Sequence, residues 1–318
     1  MKPLLSCLRT PAVAGVFVCV LLGLAGCATP QVAQLSQQWP ADLPAVTQID
    51  NVPFFPQEQY HCGPAALAMV AQAAGVRVLP DDLTDQVYLP GRQGSLQVEL
   101  LAASRRQGLL AYPLAPRMEA LLREVAAGNP VLVLQNLAFS FSPLWHYAVV
   151  IGFDRSHNTI TLHSGVTERL EMSLFTFERT WARGDSWAMV ALPPTRLPAT
   201  AQPDAYAVSA AALERVQPRA AQAAYAAALQ AWPQHRAALL GAGNTAYALG
   251  QLDRAASAYL AATRQHADFA DAWNNLAQVL MEQGKYREAA SAIDRAVAIG
   301  GVRAERYRNL QTEIRAKL

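Results

Sequence analysis

An α+β domain followed by an all-α repeat domain is the architecture this sequence predicts. Three observations carry that reading. Between residues 51 and 193, helix-like patterning comes first and β-type runs come second. Residues 193–198 then hold Pro193, Pro194 and Pro198, a run that neither helix nor sheet continues. Beyond it the chain is Ala-rich and repeats with a 34-residue period.

In the first domain, residues 52–56 are a short extended lead-in. Pro64 and the Ala/Leu/Met-rich run to Ala74 predict a helix, because proline is tolerated in a first turn, and Gly75 stops it. Asp81 or Asp82 can cap a short helix to Tyr88. Ser95 can cap a longer one, with Leu96, Leu100, Leu101 and Ala103 on one face. Residues 109–114 read as a strand. Arg117 to Ala126 read as a helix, with Met118, Leu121, Leu122 and Val125 inward and Gly128-Asn129-Pro130 as its stop. The pattern then changes to β-type runs at 131–134, 146–152, 159–162 and 186–192, interrupted by a hairpin loop at 154–158 and a short helix at 174–181. The fold class is helices, then an antiparallel sheet.

Residues 1–26 read as an export signal. Lys2 and Arg9 precede an apolar run, Val13 to Leu24, that is short for a membrane span. It ends in Leu24-Ala25-Gly26-Cys27, which resembles a bacterial lipobox. That resemblance implies cleavage before Cys27, lipidation of its thiol and, with Ala28 following, sorting to the outer membrane. Residues 27–50, rich in Gln, Ala and Pro, then read as a lipidated tether. Of four cysteines, Cys7 and Cys19 leave with the signal and Cys27 carries lipid. Cys62 is left as a lone thiol in an oxidising compartment, which favours a chemical role for it.

Cys62 also sits where a helix begins. Unpaired N–H groups and the macrodipole there favour thiolate, the nucleophilic form. His146 opens a strand 84 residues later. Cysteine and histidine in such enzymes pair in space rather than in sequence, and an imidazole can take the thiol proton and return it to a leaving amine. His61, His157 and His163 are weaker candidates. A net charge of +2, with 16% charged residues, gives no nucleic-acid footprint. No metal or cofactor is expected, and the histidines lack HExxH spacing.

The run Gln57-Glu58-Gln59-Tyr60-His61-Cys62-Gly63-Pro64-Ala65-Ala66-Leu67, together with Trp145-His146-Tyr147-Ala148-Val149-Val150-Ile151-Gly152, resembles the papain-like cysteine peptidases that process bacteriocin leaders, and especially their stand-alone lipoprotein relatives. The resemblance covers about residues 50–193. It implies Cys62 as nucleophile and His146 as base. The family's oxyanion-hole glutamine falls nearest Gln57, ahead of Gln59, although it usually lies six residues before the cysteine, and Pro56 occupies that position here. The family's Asp-Pro on the next strand is missing. Thr161-Leu162-His163-Ser164-Gly165 stands there, leaving Ser164 or His163 as possible orienting groups.

A linker at 194–203 precedes the repeat domain, 204–318. Gly250 and Gly284 lie 34 residues apart, as do Tyr225 and Tyr259, and the residues around the glycines align. This resembles tetratricopeptide repeats, which bind peptides or proteins. A degenerate unit covers about 205–238, and Arg303 to Leu318 suits a capping helix. The expected function is a cell-envelope cysteine peptidase acting on a peptide or protein, membrane-held by its lipid and binding a protein partner through its repeats. A binding-only scaffold and a thiol acyltransferase are the alternatives.

Overall fold

The computed structural model describes residues 29–56 and 61–318, so Cys27, the export signal, Gln57 and Gln59 lie outside the described residues. The first domain opens with α1 (Pro30–Gln37), β1 (Val46–Gln48), α2 (Cys62–Ala73) and α3 (Pro80–Val87). A two-stranded ribbon, β2 (Tyr88–Leu89) and β3 (Gly94–Ser95), leads to α4 (Gln97–Arg106). The sheet region follows: β4 (Leu110–Pro113), α5 (Met118–Ala126), β5 (Val131–Asn136), β6 (Trp145–Asp154), β7 (Thr159–Ser164), β8 (Thr167–Ser173), α6 (Leu174–Ala182) and β9 (Ala188–Leu192). Strand order is β4-β9-β5-β6-β7-β8, with β1 added to β6. Every pairing is antiparallel.

Burial explains the layering. All of β5 is buried, as its apolar run Val131 to Leu134 requires of a central strand. In α2, Gly63 through Ala71 are all buried. A helix apolar on every side belongs inside, and α2 packs on β6, β5 and β9 as well as on α3 and α4. Fully burying a side chain such as Leu67 or Met69 contributes about 1.5–3 kcal/mol. Its many alanines let helix and sheet approach closely.

Four sequence expectations need correction. Residues 29–50 are not a loose tether. Val32 and Leu35 of α1 are buried, the Glu178 carboxylate accepts the N–H groups of Gln31 and Val32 at 3.0 and 2.8 Å, and β1 pairs with β6. Neither Asp81 nor Asp82 is the N-cap of α3. Pro80 takes the first helical position, and Asp82 reaches back to accept the Leu79 N–H at 2.9 Å. Ser95 does not cap α4, because it pairs with Tyr88 in the ribbon and Leu96 holds the cap position. Strand β8 was not anticipated. It is an edge strand, mostly exposed, and carries Glu168, Arg169 and Glu171 in place of a continuous apolar run.

The second domain is a stack of helices: α7 (Pro203–Ala211), α8 (Pro218–Ala231), α9 (Arg236–Ala248), α10 (Leu252–Gln265), α11 (Ala270–Glu282), α12 (Tyr286–Ile299) and α13 (Ala304–Arg315). The 34-residue period has a direct physical meaning. Gly250 and Gly284 end α9 and α11 with φ of 71° and 74°. Gln251 N–H returns to Ala246 C=O and Lys285 N–H to Leu280 C=O, both at 2.9 Å. This is the same left-handed helix stop twice, where a Cβ would be strained.

The prolines at 193–198 break the secondary structure, but the stretch after them is docked. Glu124 of α5 is fully buried, and its carboxylate accepts the N–H groups of Ala199 and Thr200, the Thr200 hydroxyl and the Asn129 amide at 2.6–3.1 Å. Tyr112 Oη accepts the Gln202 N–H at 3.1 Å. The core of the first domain continues into Tyr206, Leu213 and Tyr225. Glu124→Ala strands those donors and should cost about 3 kcal/mol or more. Chemical denaturation should show this as a lower midpoint, with faster proteolytic nicking at 193–203. An unchanged midpoint would remove Glu124 as the clamp.

Candidate active site

Cys62 is the first residue of α2. The opening N–H groups of a helix have no carbonyl one turn back to bind, and Pro64 brings none. Gly63 is required by its surroundings, since a methyl group there would overlap the Ser95 hydroxyl of β3. The close fit of Cys-Gly-Pro against the ribbon fixes where the thiol sits. From the sheet side, the Tyr147 backbone N–H of β6 reaches the thiol, and the Gly63 and Cys62 N–H groups also face it. Tyr147 is held in turn by its hydroxyl, which donates to Ser95 C=O at 3.1 Å.

His146 precedes Tyr147 on β6, so the same strand that touches the thiol carries the imidazole. Cys62 and His146 line one cavity of about 830 Å³. Leu134, Leu137, Leu144 and Trp145 form an apolar wall of it, and Arg92 through Gln97 form another. Sequence residues 84 apart are thus brought to one site.

Ser164 and His163 separate cleanly. His146 Nε2 lies 2.9 Å from Ser164 Oγ, so Nδ1 is the ring nitrogen that Ser164 does not engage. His163 is elsewhere and fully engaged: its Nε2–H donates to Val52 C=O and its Nδ1 accepts the Arg169 N–H, both at 3.2 Å. Its ring packs on Phe54. His61 packs edge-on against Tyr88, and His157 binds the Asp154 carboxylate at an exposed hairpin. Gln57, on the loop before Cys62, lies outside the described residues.

The electrostatics differ from the sequence expectation. Burial pushes the Cys62 thiol above its ordinary pKa, and the N–H groups of Tyr147, Gly63 and Cys62 offset only part of this. Burial also pulls His146 below its ordinary value. Both shifts disfavour a thiolate–imidazolium pair. The N–H groups at the helix start therefore do not overcome desolvation here. A carboxylate can only accept a hydrogen bond and so fixes Nε2–H. A hydroxyl can accept or donate, and only the accepting orientation leaves Nδ1 unprotonated as a base.

Among the described residues, no cluster of three or more His, Cys, Asp or Glu is placed to hold a metal ion. The sequence pattern of the Peptidase_C39 like family matches residues 49–186. The first domain is a C39-like domain. The tetratricopeptide repeat pattern matches 209–262 and 240–303, so the C-terminal helices are tetratricopeptide repeats. Among solved structures, a C39-like peptidase from Bacillus anthracis is 19% identical, covers 47% of this chain and 98% of its own, and has a TM-score of 0.40. A double glycine motif protease from an AMS/PCAT transporter, in complex with the leader peptide, is 20% identical, covers 46% and 93%, and has a TM-score of 0.35. No curated protein matches the chain.

Replacing the hydroxyl with a carboxylate gives a direct test of these electrostatics. Ser164→Asp should raise the His146 pKa and, through the resulting positive charge, lower that of Cys62 by about one pH unit or more. Iodoacetamide alkylation followed against pH should have its midpoint above an ordinary thiol in the wild type and clearly lower in the variant. Equal midpoints would mean that residue 164 does not govern the pair.

Proposed function

We propose that the chain is a cell-envelope cysteine peptidase that hydrolyses a peptide bond through Cys62 and His146. The observation that carries this reading is the convergence of one free thiol and one imidazole on a single cavity, with Ser164 holding the far nitrogen of that imidazole. Cys62 Sγ attacks the substrate carbonyl carbon as its proton passes to His146 Nδ1. The tetrahedral oxyanion is met by the Cys62 backbone N–H and the Gln57 side-chain amide. His146 then protonates the leaving amine, and a water, deprotonated by the same nitrogen, hydrolyses the thioester. The tetratricopeptide repeats recruit the substrate or a protein partner. A lipid on Cys27 holds the chain at the outer membrane, on its periplasmic face.

A second reading has a specific observation in its favour. The missing carboxylate and the raised thiol pKa suit a domain that keeps the peptidase fold to bind a peptide without cutting it. Kinetics distinguish the two. Cys62→Ala and His146→Ala should each abolish turnover, with the double variant little worse, because residues acting as a unit are strongly non-additive. Gln57→Ala should cost on the order of 10²–10³ in rate. Substrates can be sought by comparing periplasmic peptides from cells with and without the protein. If Cys62→Ala fully complements a deletion strain, the binding-only reading stands instead.

The anchor is tested separately. Cys27→Ser should leave an unprocessed or soluble chain in cell fractionation. Unchanged acylation and outer-membrane recovery of that variant would exclude Cys27 as the lipid site.

A further inference from the structure

The loop from Leu137 to Trp145, between β5 and β6, is apolar, exposed and rigidly built. Buried Asn136 organises it. Its Oδ1 accepts the N–H groups of Ala138 and Leu144 at 3.0 Å, and its Nδ2 donates to Phe139 C=O at 3.3 Å. Leu137 N–H closes on Leu144 C=O at 2.9 Å, and the Arg183 guanidinium donates to Ala138 C=O. Held this way, Phe139 and Phe141 are 64% and 86% exposed, with rings stacked at 5.2 Å. Leu144 and Trp145 extend the patch at 58% and 52%. Large apolar groups presented by a backbone this well bonded mark a docking surface.

Chain geometry identifies the occupant, given the Cys27 anchor proposed above, on which this inference rests. Gln31 and Val32 are bonded to Glu178 of α6, and the four residue steps from Cys27 to Gln31 span at most about 14 Å. Further along α6, Thr180 takes a hydrogen bond from Gln135 at 2.7 Å. Arg183, which holds the loop, follows Glu178 by about 7.5 Å of helix axis. The start of the described chain and the loop are thus each bonded to α6, at residues five apart. Arg179 of α6 is exposed beside Glu178, with Asp185 as an acidic neighbour, and an exposed guanidinium suits an anionic headgroup, whereas Arg183 is half-buried and spent on the loop. Aromatic side chains, tryptophan above all, favour the bilayer interface. Among the described residues no helix is long and apolar enough to cross a membrane.

We propose that the Leu137–Trp145 loop seats on the bilayer surface beside the lipid anchor. Leu137, Leu144 and Trp145 also line the catalytic cavity, so this contact sets the cavity mouth next to the headgroups.

The test uses the full acylated chain in phosphatidylethanolamine–phosphatidylglycerol vesicles, with and without bromine on the lipid acyl chains. Trp145's emission is taken as the difference between wild type and Trp145→Phe. It should fall at least about twofold in brominated vesicles, as for an interfacial indole. Phe139→Ser/Phe141→Ser, still acylated, should lose that quenching. Unquenched Trp145 in a chain whose mass shows acylated Cys27 overturns the proposal, whether the loop is then found against peptide or against a second copy. A mass showing unmodified Cys27 removes the anchor reading and this proposal with it, a failure legible without the fluorescence.

Discussion

The contact on which the site depends is that between the start of α2 and β6, where the Tyr147 N–H meets the Cys62 thiol. Strand β6 pairs with β7 along one edge and with β5 and then β1 along the other, so its position is set from both sides. Helix α2 is set by burial on all sides. The place where two such constrained elements touch has little freedom left. His146 is at the touching end of β6, and Ser164 is at the end of β7. Register between those strands, with its irregularity between Val150 and Gly152, brings Ser164 Oγ to His146 Nε2. Catalytic geometry here is a consequence of sheet pairing and helix burial, with side chains following the backbone.

Much of this was legible in the sequence, because its strongest signals are local and repetitive. Alternation and apolar runs marked β5, β6 and β9, and the small-residue run marked α2. Gly250 and Gly284 marked the repeat because the same left-handed turn recurs with the same spacing. What stayed hidden depends on partners distant in sequence. Residues 30–48 are polar enough to resemble a tether, and only Glu178 and β6 make them part of the domain. Whether Ser164 or His163 faces His146 is a question of register, which adjacent residues answer oppositely, since neighbours on a strand point to opposite faces. The thiol's raised pKa was also out of reach, because a helix terminus can be read from sequence and the depth of desolvation cannot.

Serine in place of a carboxylate changes what the histidine can do. An acceptor-only group fixes the imidazole tautomer and stabilises the imidazolium that forms during reaction. A hydroxyl supports orientation but supplies no charge. Burial shifts both His146 and Cys62 toward their neutral forms. Such a site makes a slow nucleophile until a substrate carbonyl and an oxyanion donor are in place. The shift also has a protective side, since the thiol form is far less prone to oxidation than thiolate.

Two carboxylates with no part in the chemistry decide how the domain is held. Glu178 fastens α1 at the point where the chain arrives from its N-terminal segment, and Glu124 fastens the segment that leaves for the repeats. Both are buried; Glu178 accepts two backbone N–H groups, and Glu124 accepts two backbone N–H groups, a hydroxyl and a side-chain amide. Removing such a carboxylate would leave several donors in the interior without water, so each attachment is costly to release. The repeats are thereby held in a set relation to the cavity, because the junction and the first repeat helices share the domain's own core.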